Sequence, residues 1–386
     1  GNAADSFWTW RDLMYRFALR LSPAQLEAIA FGLYVEMLEA GFTSVGEFHY
    51  VHHDTDGRPY ADDAELARAL MRAAQRAGIG LTLLPVLYQT SGFGGLAPTQ
   101  GQRRFIRSTE SMLRLLDTLR PDCEAQGVRL GLAPHSLRAV PPDALREALA
   151  GLHAQDATAP VHIHIAEQTR EVDACVAWSG LRPVRWLYEH VAVDERWCLV
   201  HATHVDADEV QRMLASRAVV GLCPITEANL GDGLFPMQAF VRAGGRFGVG
   251  SDSNVLIDAA EELRLLEYGQ RLHVRGRNVL APGDGQSSGR WLFEQSLRGA
   301  GQALGVATGL QVGAPADVVE LDAAHPALIA REGDALLDSW VFAARNGAVR
   351  SVWRQGRQLV REGRHLQRDA VAARFANALR TVLQAG

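Results

Sequence analysis

Two histidines and a carboxylate close one apolar run of this chain, VHIHIAEQ at 161–168. His162 and His164 are two apart, so a strand presents both on one face, and Glu167 follows His164 by three. Other apolar runs end the same way: EFHYVHHD (47–54), VRLGLAPH (128–135) at His135, WCLVH (197–201) at His201 and RFGVGSD (246–252) at Asp252. Imidazole and carboxylate are good ligands for Zn²⁺ or a similar divalent ion. Such an ion lowers the pKa of a bound water to about 7. A carboxylate beside that water can carry its proton to a leaving nitrogen. Glu167 is placed for the proton, and Asp252 can ligate the ion and accept a hydrogen bond from the water. His162 lies one pleat deeper and reads as packing or support. A single histidine at a strand end is ordinary, but the same ending on four strands is costly without polar partners or a ligand.

The elements that must hold these residues alternate. FTSVGEFHY (42–50) follows the helical SPAQLEAIAFGLYVEMLEAG, where Ser22 caps, Pro23 fits the first turn and Gly41 ends the helix. IGLTLLPVLY (79–88) and AVVGLC (218–223) complete the series of short apolar runs, with helical patterns between them. Continuous apolar runs suit parallel strands buried on both faces. Repeated βα units over about 250 residues predict an α/β fold, a (β/α)8 TIM-type barrel, whose active-site face lies at the C-terminal strand ends. Seven strands are counted, and an eighth is expected before residue 1. The pattern changes near residue 305, so the reading divides the chain into a barrel at 1–305 and a small β-sandwich-like layer with a C-terminal helix at 306–386.

A net charge of −5 and the absence of a long basic run make nucleic acid and anionic membranes poor partners. No apolar stretch reaches the ~20 residues that span a bilayer, and GNAADSFWTW does not read as a signal peptide. Cys123, Cys175, Cys198 and Cys223 form no CxxC pair and suit buried thiols in a reducing cytoplasm. Other segments invite chemistry less strongly. FWTW (7–10) reads as packing at the site mouth, and His49, His52, His53 and Asp54 as a loop in which Tyr50 is the functional member. TEANLGDG (226–233) is too irregular for a phosphate loop and shapes the pocket or orients Asp252. His204 reads as support, and Glu261, Glu262 and Arg264 as an ordinary charged helix face.

HIHIAE, LVHATH and GSDSN resemble the fifth-, sixth- and eighth-strand motifs of the amidohydrolase superfamily in its deaminase branch. A longer series resembles the formimidoylglutamate deiminase family: DSFWTWRDLMYR, EFHYVHHDTDGRPY, LPVLYQTSGFGG, HSLRAV, HIHIAEQTREVDAC, WCLVHATH, TEANLGDGLFP and GSDSNV. The resemblance implies one Zn²⁺ per subunit, with His164 and Asp252 among its ligands. It makes Glu167 the proton shuttle and His201 the catalytic histidine that orients or stabilises the attacked group, with Asp252 also catalytic. It places substrate binding on Arg11, Tyr50, His135 and Arg138. The implied reaction is hydrolysis of N-formimino-L-glutamate to N-formyl-L-glutamate and ammonia in histidine degradation, by a cytoplasmic homodimer. Two carboxylates on that substrate suit arginine forks.

The family's first strand ends in His-x-His, followed closely by a substrate-binding glutamine, and the chain contains no such segment. The expectation is that this half of the site lies upstream of Gly1, and that residues 1–386 alone bind zinc substoichiometrically with little deiminase activity. Two alternatives stand beside the deiminase reading: a fragment without turnover, and a deaminase acting on another amidine or an aminated heterocycle. Arg11 and Arg138 argue against a neutral heterocycle, because buried guanidinium groups are costly without an anionic ligand.

Overall fold

A computed structural model describes residues 7–345 and 347–384. Helices α1 (Phe7–Ala18) and α2 (Pro23–Glu39) precede β1 (Ser44–His49), α3 (Glu65–Ala77) and β2 (Gly80–Leu87). Then come α4 (Thr109–Gln126), β3 (Arg129–Leu130), β4 (Ala133–Pro134), α5 (Pro142–Gln155) and β5 (Val161–Ile165). Next are α6 (Thr169–Ser179), α7 (Pro183–His190), β6 (Trp197–His201), α8 (Ala207–Ser216) and β7 (Val219–Leu222). These lead to α9 (Pro224–Leu230), α10 (Met237–Arg242), β8 (Arg246–Val249), α11 (Ala259–Val274) and α12 (Ser288–Leu304). The chain closes with β9 (Val318–Leu321), α13 (Asp334–Phe342), β10 (Val349–Arg354), β11 (Arg357–Arg361), β12 (Arg364–His365) and α14 (Arg368–Gln384). Among the described residues no helix is long and apolar enough to cross a membrane.

The chain divides into two compact units. The first holds the described residues up to Val35, Ser44–Ile163 and those from Gln367 onward. Its sheet is parallel: β1 pairs with β2, and β2 pairs with both β3 and β4. All eight residues of β2 are buried, as a strand covered on both faces requires. Helix α3 turns Leu66, Ala67, Leu70, Ala73, Ala74 and Ala77 inward. Its Arg72 and Arg76 both reach Glu27, at 2.8 and 3.0 Å. The run 128–135 was expected as one strand and is two. It breaks at Gly131, where an added Cβ would stand 2.5 Å from the Pro160 carbonyl oxygen, so only glycine permits the close approach.

The second unit holds Glu36–Thr43 and His164–Leu366. In its sheet β6 pairs with β7 and β7 with β8, all parallel. Helix α12 seats on β8 at Gly299, where a Cβ would come within 1.9 Å of the Phe247 carbonyl oxygen. That contact fixes the strand leading to Asp252. The expected C-terminal β layer is one antiparallel sheet in the order β12-β11-β10-β9. Two-residue turns at Gln355-Gly356 and Glu362-Gly363 join its last strands, and all four residues have positive φ, as type I′ turns demand.

Candidate active site

The second unit gathers four of the residues singled out from sequence. His201 ends β6 and is fully buried. Its Nε2 lies 3.7 Å from Glu167 Oε1 and 3.8 Å from Asp252 Oδ2. The His164 ring stands against the His201 ring, 5.8 Å between centroids. Glu167 is buried, His164 is half-buried, and the Asp252 side chain is 29% exposed. The backbone is unusual at each strand end. Ala166, His201, Ala202 and Asp252 have φ of 53°, 67°, 47° and 41°. Side chains rarely adopt this region, and the strain of roughly 1–3 kcal/mol per residue marks functional sites.

The charges are crowded. Burial pushes Glu167 up to about 8, and Asp252, Asp232 and Glu171 push the same way against His201. Burial also raises Asp252, and takes Asp232 to about 7. Burial opposes charge on His201, yet Glu167, Glu227 and Asp252 together raise it to about 10. So many carboxylates around one imidazole form a pocket for a cation. Nε2 of His201 is buried and has no hydrogen-bond partner among the described residues. Imidazole and carboxylate together suit a divalent ion such as Zn²⁺, and among the described residues His201, Cys223 and Glu227 form the group whose ligand atoms all lie within 4.8 Å of one another.

Several supporting residues were not found from sequence. Glu171, in the first turn of α6, accepts from the backbone N–H groups of Ala166 and Glu167, at 3.2 and 3.1 Å. Glu227, in the first turn of α9, accepts from Cys223 N–H at 2.9 Å and from His201 Nδ1 at 3.1 Å. The spacing was visible: in both places a carboxylate opens the next helix four residues after the backbone group it holds. The segment expected as an irregular loop begins within α9. There Thr226 Oγ1 meets Ser253 Oγ at 2.9 Å and donates to the Ser251 carbonyl at 3.3 Å, which ties the turn carrying Asp252. Asp232 accepts from Gln168, the neighbour of Glu167. The charged-face reading of 261–264 holds for Glu261 and Arg264, an ion pair, and fails for Glu262. Glu262 is fully buried, raised to about 9 by burial, and accepts from Ile225 N–H at 2.9 Å. Helix periodicity turns Glu262 away from its neighbours in sequence.

The first unit gathers the other four residues around Tyr88, which follows β2 and was also missed. The buried His135 ring lies edge-on to Tyr88 at 4.6 Å and to Tyr50 at 5.6 Å. Its Nδ1 meets Ser136 Oγ at 2.8 Å. Burial raises the Tyr88 hydroxyl, while the charges of Arg138 and Arg11 pull it down, so both guanidinium groups are near. Arg11 also stands over the Tyr15 ring at 5.5 Å. Gln102 donates to Tyr88 Oη at 2.8 Å, and Tyr15 Oη lies 3.3 Å away. His162 packs edge-on against Phe48. His49, His52 and His53 are buried. His52 and His53 place Nε2 on the carbonyls of Val86 and Ile106, as packing residues do. All four cysteines are buried free thiols. In FWTW, the side chains of Phe7 and Trp8 lie outside the described residues.

The amidohydrolase family pattern matches residues 1–359. A formimidoylglutamate deiminase of Pseudomonas aeruginosa is 57% identical over 384 residues, 99% of this chain and 84% of that protein. The crystal structure of an amidohydrolase from Brucella melitensis superposes with a TM-score of 0.93 at 52% identity, covering 99% of this chain and 84% of that one. An adenosine deaminase from Xanthomonas campestris, crystallised with bound zinc, shares the fold at 21% identity and a TM-score of 0.77, over 98% of this chain and 80% of its own. The fold class is accordingly α/β, of the (β/α)8 TIM-barrel type.

Proposed function

This chain belongs to the amidohydrolase family, and we propose that it is the hydrolase that converts N-formimino-L-glutamate to N-formyl-L-glutamate and ammonia in histidine degradation. The observation that carries the chemistry is the meeting of the Glu167 and Asp252 carboxylates at the buried Nε2 of His201. The 57% identity to a formimidoylglutamate deiminase supports the choice of substrate.

In this reading His164 and Asp252 hold one Zn²⁺, which when bound supplies the Lewis acidity that makes water a nucleophile at neutral pH. Glu167 takes the water's proton on Oε1 and passes it to the amidine nitrogen. A carboxyl that can both take and give a proton at this point serves both halves of that task. His201, from Nε2, and Asp252 stabilise the charge on the attacked group. Arg11, Tyr50, His135 and Arg138 bind the two carboxylates of the glutamate moiety. The enzyme works as a cytoplasmic homodimer on this small molecule.

The test is ammonia release from N-formimino-L-glutamate with Zn²⁺ supplied, for the complete protein and its Glu167→Gln variant. The amide cannot carry the proton, so Glu167→Gln should retain zinc and lose about 10²–10⁴-fold in turnover. Turnover within about threefold of the unsubstituted chain, far below the usual general acid–base effect, would remove Glu167 from the mechanism.

A further inference from the structure

Glu227 is held from three sides. Its own N–H donates to the Cys223 carbonyl at 2.9 Å, and the N–H of Cys223 donates back to its Oε1 at 2.9 Å. Ile225, two residues before it, is anchored on the fully buried Glu262. Thr226, its neighbour, is tied to the turn carrying Asp252. The carboxylate is therefore fixed before it meets its last partner, Nδ1 of His201 at 3.1 Å. A carboxylate only accepts, so the hydrogen of this bond belongs to Nδ1. The opposite nitrogen, Nε2, is the one that faces Glu167 and Asp252.

We propose that Glu227 is the positioning residue of His201. It accepts the Nδ1 hydrogen, fixes the ring plane, and so presents Nε2 to the reacting group. Its carboxylate also lies beside the ring's positive charge. Glu227 takes no proton itself, and its effect passes through the imidazole. The kinetic consequence rests on the deiminase reading, whereas the hydrogen bond does not.

The test compares the unsubstituted full chain with Glu227→Ala and Glu227→Gln, and His201→Asn serves to assign the signal. The amide oxygen of glutamine can replace Oε1. The Cys223 N–H, pointing at that position, opposes the flipped amide, so glutamine keeps the acceptor on Nδ1. The first readout is the downfield proton resonance of the His201 Nδ1–H, assigned by its loss in His201→Asn. It should be present in the unsubstituted chain and in Glu227→Gln, and absent in Glu227→Ala. The second is kinetic. Glu227→Ala should lose about 10–100-fold in kcat with KM nearly unchanged, and Glu227→Gln should recover most of that loss. A resonance that survives in Glu227→Ala, or a glutamine variant as slow as the alanine one, overturns the proposal. If Glu227→Ala does not fold, the resonance in Glu227→Gln decides alone: its presence supports the proposal and its loss overturns it. If the complete protein, supplied with Zn²⁺, releases no ammonia from N-formimino-L-glutamate, the substrate assignment fails, and the resonance still tests the positioning role.

Discussion

If Arg138 binds a substrate carboxylate as proposed, its removal separates substrate recognition from chemistry. Its charge bears on Tyr88, beside His135, and it stands apart from the Glu167–His201–Asp252 group in its role. Losing one partner of a desolvated charge pair costs roughly 2–5 kcal/mol. Arg138→Ala should therefore lower kcat/KM for N-formimino-L-glutamate by at least about tenfold. Formamidine, which has no carboxylate, should be hydrolysed as before. Equal losses on both substrates would show that Arg138 supports the fold or the chemistry and not the carboxylates. At this scale the sequence exposed the reacting groups because they stand at strand ends, where polar residues interrupt apolar runs. It hid their supports. Tyr88 follows a strand just as His135 does, but a phenol draws less notice than an imidazole. Glu171 and Glu227 look like ordinary acidic residues in the first turn of a helix, where the dipole alone explains them. Only the backbone turn between strand and helix shows that each grips a group four residues earlier.

Between elements, the bond from α2 to β1 should carry a pH dependence of its own. Tyr34 Oη donates to Glu47 Oε2 at 2.8 Å, and burial raises Glu47 to about 7 against that hydrogen bond. A carboxyl raised above its unfolded value of 4.5 contributes stability that is full below that value. The contribution is lost as pH rises through about 7. The unsubstituted chain should thus lose roughly 1–2 kcal/mol more than Glu47→Gln between pH 5 and pH 8. Parallel melting curves for the two proteins across that range would refute it. The βα alternation was legible because buried parallel strands are uniformly apolar and the helices between them are periodic. The break at Gly131 was not, since it answers to Pro160, which lies nearly thirty residues on. Helix α13 was missed for a related reason: DALLDSWVF is short and apolar around most of its circumference, so periodicity does not mark it. TEANLGDG gave no helix signal because the glycines that stand out in it lie after α9, and Gly231 is its C-terminal cap.

For the whole molecule, the residues proposed to hold the ion and to work beside it come from distant parts of the chain but from a single compact unit. His164, Glu167, His201 and Asp252 all fall within His164–Leu366. An unfolded chain cannot gather them, so Zn²⁺ binds the folded state alone and stabilises it by mass action. At a free concentration a hundred times Kd the gain is about 2.7 kcal/mol. For a chain of this size that corresponds to several degrees in Tm, at roughly 2–4 °C per kcal/mol. Zinc should raise the melting temperature, a chelator should reverse the rise, and the double variant His164→Ala/Asp252→Ala should lose it. The protection should also be local. Hydrogen exchange should slow at the ends of β5, β6 and β8 and in the first turn of α9, where the carboxylates and backbone amides interlock. The strands of the first unit hold no member of this donor set and should exchange as before. Two results would be decisive against the site: a zinc-induced rise in Tm that persists in the double variant, or protection centred on β1 and β2. Either would move the ion from His164 and Asp252 to the buried histidines near His52, where the Nε2 atoms of His52 and His53 lie on the backbone carbonyls of Val86 and Ile106.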